Sequence, residues 1–185
     1  MNMSDVAELQ ASRRDPGQKG AVREIRRNGR VPGIVYGSGE DAVPISIEEK
    51  VLAYEHRRGG FFSRLYSLAV GDKTYSVLAR EVQLDPVTEA LLHIDFLRLA
   101  ADSTVNVDVP VVFRNEEESP GIKRGGVLNV VRRTVELVCR ADAIPTSIEA
   151  DIGELDIGDS VKINAVSLPE GVRPVIADRD FTIVT

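Results

Sequence analysis

The chain has 185 residues, 43% of them hydrophobic, and a formal net charge of −6, a balance typical of one or two globular domains. No apolar run approaches the ~20 residues that a transmembrane helix needs, and the polar N-terminal sequence MNMSDVAELQ is not typical of a signal peptide. We therefore expect a soluble cytoplasmic protein with no membrane partner. A single cysteine, Cys139, excludes an internal disulfide, and its apolar neighbours predict a buried, unreactive thiol.

The first hundred residues predict strands mixed with short helices. Alternating apolar residues predict a strand over Val6–Ser12, and Pro16-Gly17 breaks the chain after it. A helix is expected over Lys19–Asn28, with Gly29 as its cap. The remaining elements are strands over Val31–Gly37, Val43–Glu49 and Leu91–Leu99, a short helix over Glu48–Arg58, and a hairpin over Ser63–Gln83 that turns at Gly71-Asp72.

From about Ala100 onward the sequence is more uniformly β. Strands are predicted over Val105–Phe113, Thr134–Arg140, Val161–Leu168 and Phe181–Thr185, with polar turns between them. Regular short strands of this kind indicate a sandwich or a barrel. We thus predict a mainly β protein with a few helices, in two domains over residues 1–99 and 100–185.

Charge is distributed unevenly along the chain. Residues 1–99 contain 14 Lys and Arg and 14 Asp and Glu, whereas residues 100–185 contain 9 and 15. Within the first part, residues 13–30 carry seven basic and two acidic side chains. Binding of a nucleic acid depends on local potential rather than on net charge, so the acidic total does not exclude such a partner.

The basic stretch predicts an amphipathic helix. At 100° per residue its apolar residues lie on one side, while its basic residues share an arc of about 100° on the other. The basic residues are Lys19, Arg23, Arg26, Arg27 and Arg30. Such like charges repel one another by a few tenths of a kcal/mol per pair in the free protein. The pattern therefore favours a nucleic-acid partner over the alternative of a solvated helix face.

Other motifs carry weaker signals. GQKG before the helix resembles the GXXG loop of KH domains, although no apolar helix precedes it. His93 and Asp95 are two residues apart on a predicted strand, so they point to the same face. No nucleophile accompanies them, which favours a structural or ligand-contacting pair over a catalytic one. With two histidines and one cysteine, no metal site is predicted. GSG at Gly37–Gly39 lacks the third glycine and no GxxxxGK(S/T) motif occurs, so no nucleotide-binding loop is predicted.

Two segments, GQKGAVREIRRNGRVPGIVYG and LAREVQLDPVTEALLHIDFLRL, closely resemble bacterial large-subunit ribosomal protein number twenty-five in its long form, also called the general stress protein Ctc family. The resemblance is strong over about residues 5–99, and the β-rich remainder matches the family's second domain in length and character. It implies a small N-terminal β-barrel with helices, similar to the anticodon-binding part of glutaminyl-tRNA synthetase, and a second β domain. It also implies a non-enzymatic protein of the large ribosomal subunit with no cofactor and no small-molecule substrate.

The resemblance further implies binding to 5S ribosomal RNA at the irregular helix called loop E. The contacting positions carried over by motif are Arg13 or Arg14, Lys19, Arg23, Arg26, Tyr36, Arg80, His93 and Asp95. Some short-form members carry Gln at the position of Arg80, where Arg favours a phosphate or guanine contact. An ionised Asp95 only accepts hydrogen bonds, so it suits a cytosine or guanine amino group. From the residues alone, Tyr36 either donates its hydroxyl to a phosphate or packs.

Two other functions stay open at the level of sequence. The acidic β domain suits a stress-related adaptor that binds other proteins, and a neighbouring ribosomal protein is a reasonable partner for it. In that domain IKRGG and VVRRT are the local candidates for phosphate contact. A hydrolase or transferase is disfavoured because the sequence offers no set of nucleophile, base and orienting group.

Overall fold

The computed structural model describes residues 7–15, 19–100, 103–141 and 143–185. The chain divides into two compact units, Met1–Ser103 and Thr104–Thr185. The predicted break at Pro16-Gly17 and the first half of the GQKG motif lie outside the described residues, as does Val6. No helix in the described ranges is long and apolar enough to cross a membrane.

The first unit is a closed barrel of six strands with two helices. Its strands are β1 (Ala7–Arg13), β2 (Arg30–Gly37), β3 (Glu40–Glu48), β4 (Leu65–Val70), β5 (Lys73–Leu84) and β6 (Leu91–Arg98), and its helices are α1 (Lys19–Arg27) and α2 (Glu49–Arg57). The order around the barrel is β1-β3-β2-β6-β5-β4, and parallel pairing of β1 with β4 closes it. The mainly β fold with an N-terminal barrel is therefore confirmed.

Alternation along each strand decides which side chains fill the barrel. On β6, Ile94 and Phe96 are fully buried, whereas His93 and Asp95 are only half-buried. Burying one large apolar side chain contributes about 1.5–3 kcal/mol. A slip of one residue would turn Phe96 outward and the charged residues inward. The hydrophobic pattern thus fixes the outer face of β6.

Two predicted turns are confirmed. Gly29 has a φ of 68°, in the left-handed region that glycine adopts without strain, and its N–H donates to the carbonyl of Arg26 at the end of α1. Val70 pairs with Lys73, so the β4–β5 hairpin turns at Gly71-Asp72. The residues at each turn were therefore sufficient to predict where the chain reverses direction.

A close approach of two backbones holds β2 beside β6. Gly33 pairs with Ile94 in the parallel ladder between these strands. A Cβ atom on Gly33 would lie 2.6 Å from the Ile94 carbonyl oxygen and 2.8 Å from its Cγ2. Only a residue without a side chain fits this contact.

The second unit contains a four-stranded sheet of order β11-β8-β7-β9 and a two-stranded sheet of β10 and β12. Its elements are β7 (Thr104–Arg114), α3 (Pro120–Lys123), β8 (Thr134–Arg140), β9 (Ile148–Asp151), β10 (Val161–Lys162), β11 (Arg173–Pro174) and β12 (Thr182–Val184). Cys139 on β8 is 1% exposed. Its burial raises the pKa of the thiol, so the predicted buried cysteine is confirmed.

The predicted strand over Val161–Leu168 is wrong beyond Lys162. A 3-10 turn follows at Ile163–Ala165, and the N–H of Val166 donates to the carbonyl of Ile163 at 3.1 Å. The buried residues of this segment are Val161, Ile163 and Val166. The spacing between successive buried residues thus changes from two positions to three. Strands β9 and β11, of four and two residues, were not predicted because alternation is not recognisable over so few positions.

Replacing Gly33 by alanine tests the close approach of β2 and β6. We expect Gly33→Ala to lower the free energy of unfolding by about 1–3 kcal/mol, because the new methyl group forces the strands apart. Urea denaturation measures the loss. Gly20→Ala is the matched control, since a Cβ there meets nothing within 4 Å and helix propensity favours alanine. Equal stability of Gly33→Ala and the parent protein would contradict the constraint.

Candidate nucleic-acid interface

The outer face of β6 and its two neighbouring strands forms the centre of the candidate site. Asp95 lies opposite Glu81 of β5 and beside Ile34 of β2, and His93 lies opposite Gln83 of β5. Residues paired across a ladder project to the same side of the sheet. The face therefore carries two carboxylates, an imidazole and an amide on neighbouring strands.

His93 and Asp95 form a hydrogen-bonded pair on this face. The Nδ1 of His93 donates to Oδ1 of Asp95 at 2.7 Å, and both side chains are partly exposed. The prediction that they point to the same face is confirmed. The contact fixes the orientation of the imidazole and leaves its Nε2 and the second Asp95 oxygen for an external partner. Together they present a rigid hydrogen-bonding edge.

Two β-bulges flank this pair. Between Ala79 and Glu81 the β5–β6 ladder shifts register, so Arg80 is the extra residue on β5. A second shift between Gln83 and Leu84 makes Leu92 the extra residue on β6. Bulges change the direction of a side chain and free backbone groups from the ladder. Arg80 is exposed and lies at the border of the same face.

Tyr36 lies on β2, one strand from β6. It pairs with Leu97 and is half-buried, on the same side of the sheet as Ile34. The structure therefore brings Tyr36 to the face that carries Asp95. Within the described part of the chain its hydroxyl has no hydrogen bond, which leaves it available for an external partner.

Helix α1 is fastened to β6 through Arg26. The Nε and Nη2 atoms of Arg26 both donate to the carbonyl oxygen of Leu92, at 3.0 and 2.8 Å. This carbonyl belongs to the bulge, so the guanidinium satisfies a backbone group that the ladder does not. Arg26 thus holds the helix next to His93 and keeps its Nη1 group for another partner.

The predicted basic arc on α1 is only partly realised. Arg23 and Arg27 are exposed, and neither has a hydrogen bond or ion pair to another described residue. The placement of Arg30 in this arc is wrong, because Arg30 begins β2 and donates to Ser46 and Ser12. Lys19 starts the helix, and its side chain is outside the described part. The available cationic surface of α1 is therefore centred on Arg23 and Arg27.

Arg13 and Arg14 lie elsewhere on the barrel. Strand β1, which ends at Arg13, is three strands away from β6 in either direction. Arg13 borders a groove with Glu40, Asp41 and Asp72. Arg14 donates through Nε to the Ile45 carbonyl at 3.1 Å. The structure thus does not group these two arginines with the β6 face.

Sequence reasoning missed Glu81 and Gln83 as members of this face. Their position depends on the register of β5 against β6, and the two bulges set that register. The motif REVQ contains both residues, but alternation alone did not indicate which strand lies opposite. Glu81 places a second negative charge opposite Asp95, which is unfavourable in the free protein.

Comparison with known proteins shows which family each of the two units resembles. The model of the ribosomal L25p family matches residues 9–96, and that of the C-terminal domain of ribosomal protein TL5 matches residues 104–185. The chain is 50% identical over 183 residues to large ribosomal subunit protein bL25 of Novosphingobium aromaticivorans, covering 99% of the chain and 90% of the relative. It is 49% identical over 184 residues to the protein of that name from Rhodospirillum rubrum, covering 99% and 88%.

The barrel with its cationic helix and the two matched domains define a structural, non-enzymatic protein of the ribosomal class. The chain belongs to the L25p family, in the long bacterial form that carries a TL5-type C-terminal domain.

Removing the Arg26 side chain tests whether it fastens α1 to the barrel. We expect Arg26→Ala to lower the free energy of unfolding by about 1–2 kcal/mol, because the Leu92 carbonyl loses a partly buried, charge-assisted partner. Amide hydrogen exchange in α1 should become faster. Arg27→Ala, one position along the helix and exposed, is the control and should change stability by less than about 0.5 kcal/mol. Unchanged exchange in Arg26→Ala would mean that apolar packing alone holds the helix.

Proposed function

We propose that this protein is a structural component of the large ribosomal subunit that binds 5S ribosomal RNA at an irregular helix of the loop E type. The proposal rests chiefly on one arrangement: the His93–Asp95 pair lies on an exposed sheet face, with the basic helix α1 fastened beside it. The relatives named large ribosomal subunit protein support assembly into the subunit and a cytoplasmic location with the ribosome.

The physics of RNA recognition supports an irregular target. A regular RNA duplex has a deep, narrow major groove whose base edges side chains cannot reach. Non-standard pairs widen that groove and expose donor and acceptor groups. A sheet face that carries polar side chains fits such a widened groove better than it fits a regular one.

Helix α1 and the outer face of β6 make different contributions to RNA binding. Arg23 and Arg27 contact phosphates, a sequence-independent contribution that weakens as salt rises. Asp95 accepts a hydrogen bond from a base amino group, and His93 holds its carboxylate in place. A carboxylate is repelled by phosphates, so it favours binding only where such a donor is present. Tyr36 and Arg80 contact the backbone at the borders of the face.

Truncating one exposed arginine of α1 measures the phosphate contribution. We expect Arg23→Ala to weaken binding to 5S RNA and to reduce the slope of log affinity against log salt by about 0.7–0.9. A gel-shift titration across a salt series provides both values. Arg173→Ala removes another exposed charge, from the second unit, and should change neither. An unchanged affinity and slope for Arg23→Ala would remove α1 from the interface.

Neutralising one carboxylate measures the contribution of base recognition. Asp95→Asn should reduce the preference for 5S RNA over a regular RNA duplex of equal length by about tenfold, and change binding to the regular duplex little. Glu81→Gln is the matched control, because it removes the negative charge that lies across the ladder from Asp95 on the same face. The preference should also disappear in the parent protein when loop E is replaced by regular pairs. If Asp95→Asn keeps its selectivity, Asp95 is structural.

A further inference from the structure

Helix α2 has one side in the barrel and one side in solvent. Leu52 is fully buried and Glu55 nearly so, and both lie on the side that faces the strands. His56, on that side, packs edge-on against Phe61 at a centroid distance of 5.4 Å. These contacts fix the rotation of the helix, so the opposite side is free of the barrel.

The solvent side of α2 combines one aromatic ring with three cations. Lys50, Tyr54, Arg57 and Arg58 share an arc of about 100° when placed at 100° per residue. Tyr54 is 66% exposed. From Lys50 to Arg57 the stripe is about 10 Å long, enough to reach two neighbouring phosphates. We call these four residues the α2 stripe.

Acidic side chains lie near the stripe, since Glu49 and Glu89 line one groove together with Arg57. Arg58 Nη1 lies 3.9 Å from Glu55, but that carboxylate is buried and also binds Arg64 at 3.0 Å. The side chains of Lys50 and Arg57 have no hydrogen bond or ion pair to any residue that the structure describes. Lys50 and Arg57 therefore present cations that no described carboxylate pairs with, whereas Arg58 has a partner in Glu55.

Helix stability alone does not account for the stripe. Arg57 and Arg58 near the C-terminus interact favourably with the helix dipole. Lys50 is the second residue of α2, where the same dipole disfavours a positive charge. The exposed ring of Tyr54 adds nothing to the core. A ligand that is both anionic and aromatic explains all four residues together.

We propose that the α2 stripe binds an unpaired nucleotide of RNA. The Tyr54 ring stacks on the base, and Lys50, Arg57 and Arg58 bind the adjoining phosphates. A paired base has both of its faces covered by its neighbours, so the stripe selects single-stranded RNA. The contact is separate from the β6 face and does not depend on 5S RNA recognition.

The location of α2 suits an RNA-binding role. The N–H of Glu49, the first residue of α2, donates to the Gly29 carbonyl just after α1 at 3.0 Å. The stripe therefore begins near the end of α1.

A single tryptophan at position 54 tests the proposal directly. The chain has no tryptophan, so Tyr54→Trp introduces one fluorophore into the full-length protein. We expect saturable quenching by a single-stranded RNA of ten adenosines and little quenching by a blunt RNA duplex of equal length. Adding Lys50→Ala and Arg57→Ala should weaken the single-strand affinity about tenfold or more. Val127→Trp, at a residue that is 90% exposed in the second unit, is the control and should not be quenched.

Filter binding with the native ring provides a second measurement. Tyr54→Ala should weaken single-strand binding about tenfold, and Tyr54→Phe should retain it, because stacking requires the ring and not the hydroxyl. Absence of quenching, equal quenching by the duplex, or equal quenching of Val127→Trp would overturn the proposal. Arg23→Ala separates the two sites: it should weaken 5S RNA binding and leave the quenching at position 54 intact.

Discussion

The parallel pairing of β2 with β6 is the constraint on which the rest of the first unit depends. It requires backbone contact at Gly33, where a Cβ atom would lie 2.6 Å from a carbonyl oxygen. Helix α1 leads directly into β2 through Gly29, so the position of β2 carries the helix to the edge of β6. Arg26 then completes the attachment at the Leu92 carbonyl. One missing side chain thus allows a cationic helix and a polar strand to form a single surface.

The charges on that surface are segregated rather than mixed. The helix side presents arginines, whereas the sheet side presents Asp95 opposite Glu81. Placing two carboxylates across a ladder costs stability, and the contact of His93 with Asp95 offsets part of this cost. A surface built solely to attract polyanions would not contain this pair. In the proposed complex, α1 therefore attracts the RNA backbone, and the face of β6 discriminates between RNA structures.

Sequence was sufficient wherever the signal was local. Gly29, the Gly71-Asp72 turn and the shared face of His93 and Asp95 follow from backbone preferences and the two-residue period of a strand. Sequence was insufficient where a partner came from a distant segment. The helical wheel could not show that Arg26 bends onto the Leu92 carbonyl, because a bulge 66 residues away frees that group.

The same limit explains the errors elsewhere in the chain. The helical wheel places Arg30 in the basic arc because its angle fits, although Gly29 ends the helix before it. In the second unit, Val161 and Ile163 began an alternation that the 3-10 turn then interrupted. The second unit's short strands β9 and β11 form by pairing with longer neighbours, which an isolated stretch of sequence does not reveal.

Because of the bulge at Arg80, β5 can change in length by one residue without exchanging the side chains that face the core and the solvent. In a regular ladder, adding or deleting one residue exchanges the inner and outer faces of everything that follows. Arg80 is already supernumerary, so its loss would restore plain alternation between the buried Ala79 and the outward Glu81. The chain can thus lose a guanidinium at the rim of the candidate interface while Val82 stays inside the barrel. A deletion at this point changes the surface of the barrel and leaves its core as it is.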